Sequence, residues 1–443
     1  MARRDEDKPS VARTRTTVLE NAHKVSVPKR GVTKRRAAST SSRAKTKITS
    51  SRQVQLTSSR TLPKRKLLPR SLMAKTKPAR IHKHKLALLI ACHNEEMVLE
   101  TTIKSAVASG QKIEDIFVVD DNSSDKTREI AVRVLGVLNV LTVPRSGKAG
   151  AVYQAIKVFG FEERYQWVHI SDGDSIFGED YFRNYRRGLT GKEYVVAVGF
   201  IQSLRGNWIA NYRSLSYTYS QHVMRRFQSW FNMISVLPGP ITSFRTDIIQ
   251  YLDFRTGVIA EDFDVTLQIY RMGLGKVRYI PDAICYTQDP QNLRDFCKQT
   301  FRWQRGFWQG VTRHRIGTKL QSIDISIGYQ VFQMVLWLFE FGFLVPYTMF
   351  ETGKWIILPI LMVLDFTVVS ILTIFSAIVA KRYWVLAALP YYYFLRYVEL
   401  GIFLWAFVEI VILRRYHSTL QKGWVTEGRR YAIDKAALRE AHG

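Results

Sequence analysis

Cysteine is scarce in this chain of 443 residues: Cys92, Cys285 and Cys297 are scattered without the pair spacing of a zinc site. An odd, dispersed set excludes a disulfide framework and fits a reducing cytosol, where each thiol reads as a small buried apolar group. Acidic residues are also few, 37 against 65 lysines and arginines, for a formal net charge of +28. The deficit is local: residues 1–85 hold 25 basic and 4 acidic residues, a net +21. That arm lacks any apolar run long enough for a secretory signal or an anchor. Its Ser-, Thr-, Ala- and Lys-rich composition cannot bury enough surface to offset the entropy of ordering it, so it reads as disordered. Phosphate neutralisation needs only Lys and Arg, so nucleic acid is one partner to weigh. Anionic lipid headgroups, which attract each basic residue by roughly 1 kcal/mol, are another. Apolar segments in the same chain favour membrane lipids over nucleic acid or a solvated spacer.

From Lys85 onward, short β-rich runs alternate with segments of helical period. Leu86–Ala91, Asp115–Asp120, Leu138–Val143, Trp167–Ser171 and Tyr194–Gly199 are expected as strands. Glu95–Ala108, Asp125–Leu135 (with Asp125 as cap) and Gly147–Phe159 are expected as helices. The alternation predicts an α/β domain with a mainly parallel sheet, which binds ligands at the carboxyl ends of its strands. Polar clusters fall there: His93-Asn94-Glu95, Asp120-Asp121-Asn122-Ser123 and Asp172-Gly173-Asp174. The divisions read as a basic tail (1–85), an α/β domain (86–320), apolar helices (321–413) and a second basic tail (414–443).

Within 321–413, Ile327–Phe350, Trp355–Ala380 and Trp384–Leu413 are each long enough to cross ~30 Å of hydrocarbon, giving two or three crossings. The third carries Pro390, Arg396, Glu399 and Glu409. It reads either as a span whose charges face protein or water, or as an interfacial or re-entrant helix whose charges pair among themselves. Three crossings from a cytosolic α/β domain would put Arg414, Arg415, Lys422, Arg429, Arg430, Lys435 and Arg439 outside, against the positive-inside tendency.

Asp172 and Asp174 flank a glycine at a strand end, so both carboxylates can point one way; with diphosphate oxygens they make a half-protein shell for Mg²⁺ or Mn²⁺. An isolated Asp-Gly-Asp is equally an ordinary turn. Context strengthens the metal reading, because Asp120 and Asp121 end another strand of the same rim and Ser146-Gly147-Lys148-Ala149-Gly150 opens a helix facing it. Acidic groups accept hydrogen bonds from ribose or a base, while Lys148 and a helix N-terminus favour phosphate, outlining a nucleotide diphosphate site. Glu261-Asp262 starts a segment expected as a helix (Phe263–Met272), after Pro238-Gly239-Pro240. Such a carboxylate can serve only as a cap. Inverting sugar transfer, however, needs a base opposite the leaving diphosphate, and Asp262 is the candidate. Near 292–310, Leu293, Phe296, Trp303 and Phe307 share one helical face and Arg294, Lys298, Arg302 and Arg305 another, the pattern of a basic amphipathic helix at a membrane interface. In it, Arg302 can neutralise a diphosphate and Trp303 can pack against an acceptor sugar.

The ordered set His93-Asn94-Glu95, Asp120-Asp121, Asp172-Gly173-Asp174, Gly239-Pro240, Glu261-Asp262 and Gln299-Thr300-Phe301-Arg302-Trp303 resembles membrane glycosyltransferases of family 2, among them cellulose, chitin, hyaluronan and poly-N-acetylglucosamine synthases. The resemblance covers roughly residues 86–413. It implies a Rossmann-like nucleotide-diphospho-sugar domain of type A on the cytosolic face, in an integral membrane protein of the plasma membrane. By the same resemblance Asp120 and Asp121, with Glu95 and Lys148, hold the donor; Asp174, with Asp172 nearby, holds Mg²⁺ or Mn²⁺; Asp262 is the general base; and Gln299, Arg302 and Trp303 bind diphosphate and the acceptor end. The implied reaction moves N-acetylglucosamine or glucose from a UDP-sugar to a growing β-linked glycan. The alternatives are a diacylglycerol or polyprenyl-phosphate acceptor and, as a minor one, a non-enzymatic membrane-anchored binding protein. A basic arm stands where many relatives carry helices. Three apolar segments are few for a polysaccharide path, a difficulty that a homo-oligomer, a partner subunit or a lipid acceptor would remove.

Overall fold

The computed structural model describes residues 84–416. All but the last two residues of the basic arm, and the carboxyl-terminal tail from residue 417, lie outside the described range. The α/β domain runs β1 (His84–Cys92), α1 (Leu99–Ala108), β2 (Ile116–Asp120), α2 (Thr127–Leu135), β3 (Val140–Thr142), α3 (Gly147–Phe159), β4 (Tyr165–Asp172), β5 (Ile176–Phe177) and α4 (Tyr181–Gly188). It continues with β6 (Tyr194–Ser203), α5 (Trp208–Tyr219), β7 (Thr242–Arg245), α6 (Glu261–Met272), β8 (Lys276–Thr287) and α7 (Leu293–Arg313).

Leu86 to Cys92 and Ile116 to Val119 are almost wholly buried, as central parallel strands covered on both faces must be. The strands form one sheet in the order β3-β2-β1-β4-β7-β6-β8-β5. Pairing is parallel from β3 to β4 and between β6 and β8, but β7 runs antiparallel to β4 and β6, and β5 antiparallel to β8. The sheet is therefore mixed but mainly parallel, as expected, with six of the described strands running one way and only β5 and β7 reversed.

Several boundaries differ from the sequence reading for local reasons. The strand expected from Leu138 begins at Val140: Val137–Asn139 is a 3₁₀ turn, Leu138 is 88% exposed, and the Asn139 amide donates to the Ile116 carbonyl. The strand expected from Asp115 begins at Ile116, because Asp115 closes a 3₁₀ turn and its carboxylate accepts from the Tyr165 hydroxyl. The helix expected from Glu95 begins at Leu99. The Glu95 and Glu96 amides donate instead to Thr127 Oγ1 and Asp125 Oδ2, zipping the first two rim loops together. Asp125 does accept from the Thr127 amide, but from one residue outside the N-cap position.

Beyond the domain come α8 (Ser322–Phe339), extended through a π turn into Val345–Thr352, then α9 (Ile357–Val379) and α10 (Tyr392–Phe407). Among the described residues two helices, Ser322–Thr352 and Ile357–Val379, are long and apolar enough to cross a membrane. The third apolar segment is broken into a 3₁₀ stretch around Pro390, α10 and a π turn at Val408–Ile412, and it packs against α5 and α7. Both ends of the α8–α9 hairpin are tied to the α/β domain. Arg271 on α6 grips Asp324 through two hydrogen bonds of 2.6 and 2.7 Å, and Arg382, just past α9, donates to the Ser203 carbonyl at the end of β6.

Candidate active site

The registers Cys92↔Asp120 and Ala91↔Asp172 set the ends of β2, β1 and β4 side by side, so the first three polar clusters share one rim. Two of its turns use asparagines in the left-handed region, Asn94 and Asn122, which such side chains tolerate better than most. Asp121 is fully buried. Its carboxylate accepts from the backbone N–H groups of Ser146 (2.7 Å) and Gly147 (2.9 Å) and from the Arg145 guanidinium (2.8 Å), fixing the start of α3. Asp120 accepts from the Ser123 amide at 3.0 Å and the Thr142 hydroxyl at 3.3 Å. Both acidic groups thus shape the rim through their own hydrogen bonds.

Anchoring α3 in this way aims Lys148 across the rim, where its ammonium pairs with Asp172. Burial opposes the charge on Lys148, yet Asp172, Glu261 and Asp262 together hold its pKa above the usual lysine value. Gly239 leaves the space this requires, since a Cβ there would stand 2.3 Å from Lys148 Nζ. Gly173 has a similar use: a Cβ would meet Glu95 Cγ at 2.9 Å and Cys92 Sγ at 3.1 Å. Glu95 is accordingly buried beneath the Asp-Gly-Asp turn and supports it. The Gly173 carbonyl accepts from Thr102 Oγ1 at 2.7 Å.

Glu261 and Asp262 form the first turn of α6, at the helix start where they were expected. With Lys148, Gly239 and the apolar side chains of Val152, Phe244 and Phe254, they line a cleft. Asp262 Oδ1 accepts from the Phe263 amide at 2.8 Å. Burial, then the Glu261 charge, pushes the Asp262 carboxyl up to about 6, against the opposing pull of Lys148, the Phe263 amide and Arg302. The basic cluster of α7 therefore reaches the acidic pair of α6 electrostatically.

A bare amphipathic helix does not describe α7. Arg305, expected on a charged outer face, is 6% exposed and donates to Glu409 at 2.8 Å, whereas Arg294 and Lys298 are exposed. Two glycines four residues apart set α7 close against α6. A Cβ on Gly306 would stand 2.3 Å from Ala260 Cβ, and one on Gly310 would stand 2.6 Å from the Phe263 ring, so α6 and α7 touch nearly backbone to backbone. Gln299 is buried on α7 one turn before Trp303. Sequence reading missed Arg145, Gly306 and Gly310. An arginine beside the Ser146–Gly150 loop and a helical Gly-x-x-x-Gly were the available signals.

For a divalent cation the chain offers oxygen donors from Asp172 and Asp174. Among the described residues no group of three or more His, Cys, Asp or Glu side chains is gathered. Burial and then the surrounding carboxylates push the Cys92 thiol up. Two hard carboxylates fit a cation that keeps several ligands from water or phosphate, as Mg²⁺ does and Mn²⁺ can.

A mixed α/β sheet whose rim joins a lysine at a helix start to two acidic pairs and an arginine accompanies a sequence match that makes this protein a glycosyltransferase. Residues 83–306, half of the chain, match the family model described as Glycosyltransferase like family 2, and the chain belongs to that family. It is 24% identical over 246 residues to poly-beta-1,6-N-acetyl-D-glucosamine synthase of Staphylococcus aureus (strain COL), covering 53% of this chain and 57% of the relative. It is also 24% identical over 284 residues to the Staphylococcus epidermidis synthase, covering 60% and 66%. The chain thus spans less than two thirds of the length of these relatives. Among solved structures, a mannosyltransferase of Pyrobaculum calidifontis in complex with GDP-Man and Mn²⁺ aligns with a TM-score of 0.46 at 15% identity, over 71% of this chain and 88% of that one.

Proposed function

We propose that this glycosyltransferase is inverting and metal-dependent, and that it moves a sugar, N-acetylglucosamine or glucose, from a UDP donor to the end of a growing β-linked glycan. A β-1,6-linked N-acetylglucosamine polymer, named for the staphylococcal relatives, is the first product to test. The observation that carries this reading is the convergence of Lys148, Asp172, Glu261, Asp262 and Arg302 on one electrostatic neighbourhood. A base whose affinity for protons is raised toward neutrality stands among cations suited to a diphosphate.

In the proposed step Asp262 takes the proton of the acceptor hydroxyl as its oxygen attacks the anomeric carbon from the face opposite the diphosphate. The new C–O bond forms, the bond to the diphosphate oxygen breaks with its electron pair leaving on UDP, and the configuration inverts. Lys148 and Arg302 offset the charge that develops on the leaving group. Asp174 with Asp172 would hold Mg²⁺ or Mn²⁺, which when bound neutralises diphosphate charge as a Lewis acid. Trp303 packs against the acceptor end, with Gln299 beside it, and Asp120 and Asp121 define the nucleoside side of the rim.

The same reading assigns two membrane crossings, α8 and α9, to a hairpin that leaves the α/β domain at Asp324 and returns to it at Arg382. Catalytic domain and basic carboxyl tail then share the cytosolic side, removing the conflict with the positive-inside tendency. Two crossings are too few to enclose a polysaccharide path, which favours a homo-oligomer or partner subunit if the product is exported. The test is purified full-length protein in lipid vesicles with a panel of labelled UDP-sugars and Mg²⁺ or Mn²⁺, the product being sized. A ladder of β-linked sugars is expected. A single sugar on diacylglycerol or polyprenyl phosphate would replace the polymer reading with a glycolipid-forming one.

A further inference from the structure

Arg213 lies in the middle of α5 and is 5% exposed. A charged guanidinium at such depth is stable only when opposite charge and hydrogen bonds surround it. Its Nη1 donates to Glu399 on α10 at 3.1 Å, and its Nη2 donates to Thr300 Oγ1 on α7 at 2.5 Å. Its carbon centre is 4.4 Å from the centre of the Phe296 ring and 4.7 Å from that of the Trp303 ring. The two aromatic residues are seven positions apart on α7, with Thr300 between them, so the guanidinium fills the space between two rings on one helical face. The neighbouring Tyr212 hydroxyl donates to the second Glu399 oxygen at 2.8 Å, so α10 is held from α5 by two adjacent side chains.

We propose that Arg213 is a positioning residue for the acceptor end of the reaction. It sets the plane of Trp303 and makes that plane depend on where α10 stands through Glu399. The inference rests on the acceptor role given to Trp303 above. A planar guanidinium can stack on two rings while its edge donates to a carboxylate and a hydroxyl; a lysine ammonium keeps the charge but cannot stack in that way. Phe296 is wholly buried against Tyr212 whereas Trp303 is only half-buried, so Trp303 is the ring with room to tilt when the guanidinium is lost. A displacement of α10 would be transmitted to Trp303 along the same line of contacts.

Two variants of the full-length protein test this. Arg213→Lys retains a cation for Glu399. The double variant Arg213→Met with Glu399→Leu removes both charges, so neither remains buried and unpaired. Both are measured for UDP affinity, for the KM of the UDP-sugar and of a short glycan acceptor, and for hydroxyl-radical reactivity of Trp303 relative to Trp308. The proposal expects a rise in acceptor KM of about tenfold, the scale on which a small misplacement of a substrate-positioning group acts. It also expects UDP-sugar KM and UDP affinity within about twofold of wild type, and higher reactivity at Trp303 with Trp308 unchanged. Equal rises in both KM values, or an unaltered acceptor KM, overturn it. If the wild-type protein transfers no sugar to a glycan, the proposed function fails by itself. The reactivity of Trp303 then still decides the clasp, and unchanged reactivity in both variants refutes it.

Discussion

Replacing Asp262 by Asn should move activity and stability in opposite directions. Asparagine has nearly the same shape, and its Oδ1 can keep the 2.8 Å hydrogen bond from the Phe263 amide, so α6 should begin as before. What disappears is a carboxylate whose pKa has been pushed from 3.8 to about 6, first by burial and then by Glu261. A raised carboxylate pKa means that the folded protein binds the proton more tightly than the unfolded chain. The resulting penalty is absent below about pH 4, grows between the two pKa values and is complete above about pH 6. A shift of this size corresponds to about 3 kcal/mol at most, at 1.36 kcal/mol per unit. Asp262 is only half-buried at the wall of an open cleft, so screening by water reduces this to about 1–2 kcal/mol.

The Asn variant should therefore unfold at a higher temperature than wild type at pH 7.5, and the gain should vanish near pH 4. Transfer should fall by about 10²- to 10⁴-fold, the usual contribution of a positioned general base, while UDP affinity stays within a few-fold. In the wild type, kcat/KM should rise with pH through about 6 with the slope of a single proton, and that limb should be missing from the residual activity of the variant. Differential scanning fluorimetry in detergent, UDP titration and a pH series of initial rates measure these quantities. Turnover above a tenth of wild type, or loss of UDP binding in step with turnover, would refute the assignment of Asp262 as base.

Asp174→Asn should lower Mn²⁺- or Mg²⁺-dependent transfer by at least about 10²-fold, and chelation should silence the wild type reversibly; a metal-independent rate equal to the loaded one removes the metal from the scheme. Gly306→Ala forces a methyl into Ala260, whose Cβ lies 2.3 Å from the new atom, and should cost about 1–3 kcal/mol with a matching loss of transfer. Gly401→Ala on α10, with nothing within 4 Å, is the clash-free control and should hold or raise the thermal midpoint. Asp324→Asn leaves Arg271 buried without its counter-charge, and a cost of about 3–5 kcal/mol should appear as a lower melting temperature; an unchanged midpoint would mean the α8 anchor is not structural. Lys354→Cys, between the two apolar helices, should react with a membrane-impermeant maleimide in intact cells, and Arg415→Cys only after permeabilisation; the opposite pattern inverts the topology.

The rim was legible because its chemistry is local: runs such as Leu86–Ala91 are apolar throughout, and the polar residues that end them must emerge at the strand ends. The short strands were not legible. Ile176–Phe177 and Thr242–Arg245 have too few residues to show a period, and they are strands only through antiparallel partners supplied by β8 and by β4 and β6. Their neglect is why the two reversed strands of a mainly parallel sheet were not expected. Asp120 and Asp121 were found but their hydrogen bonds were not, since the Arg145–Gly147 loop that occupies Asp121 is about two dozen residues away in sequence. The clasp at Arg213 was least visible of all: the residues that satisfy it lie 87 and 186 positions away.

The ionisable residues of the third apolar segment show how a sequence ambiguity can be decided by partners. Arg396, Glu399 and Glu409 were expected either to face protein or water or to pair among themselves. Each has a partner outside the segment: Arg396 reaches Asp365 on α9 at 3.3 Å, Glu399 meets Arg213 on α5, and Glu409 meets Arg305 on α7. An unpaired ion moved out of water costs several kcal/mol, so a segment carrying three of them would be an expensive lipid-facing span. Glu399 and Glu409 thus fasten the segment to α5 and α7, while Arg396 ties it to α9. The Pro390 break suits that seat, since a chain following the domain surface must bend where a spanning helix would run straight. The segment that looks like a third membrane crossing by composition packs against α7, the helix carrying Gln299, Arg302 and Trp303. Glu409 fixes the position of that helix through Arg305.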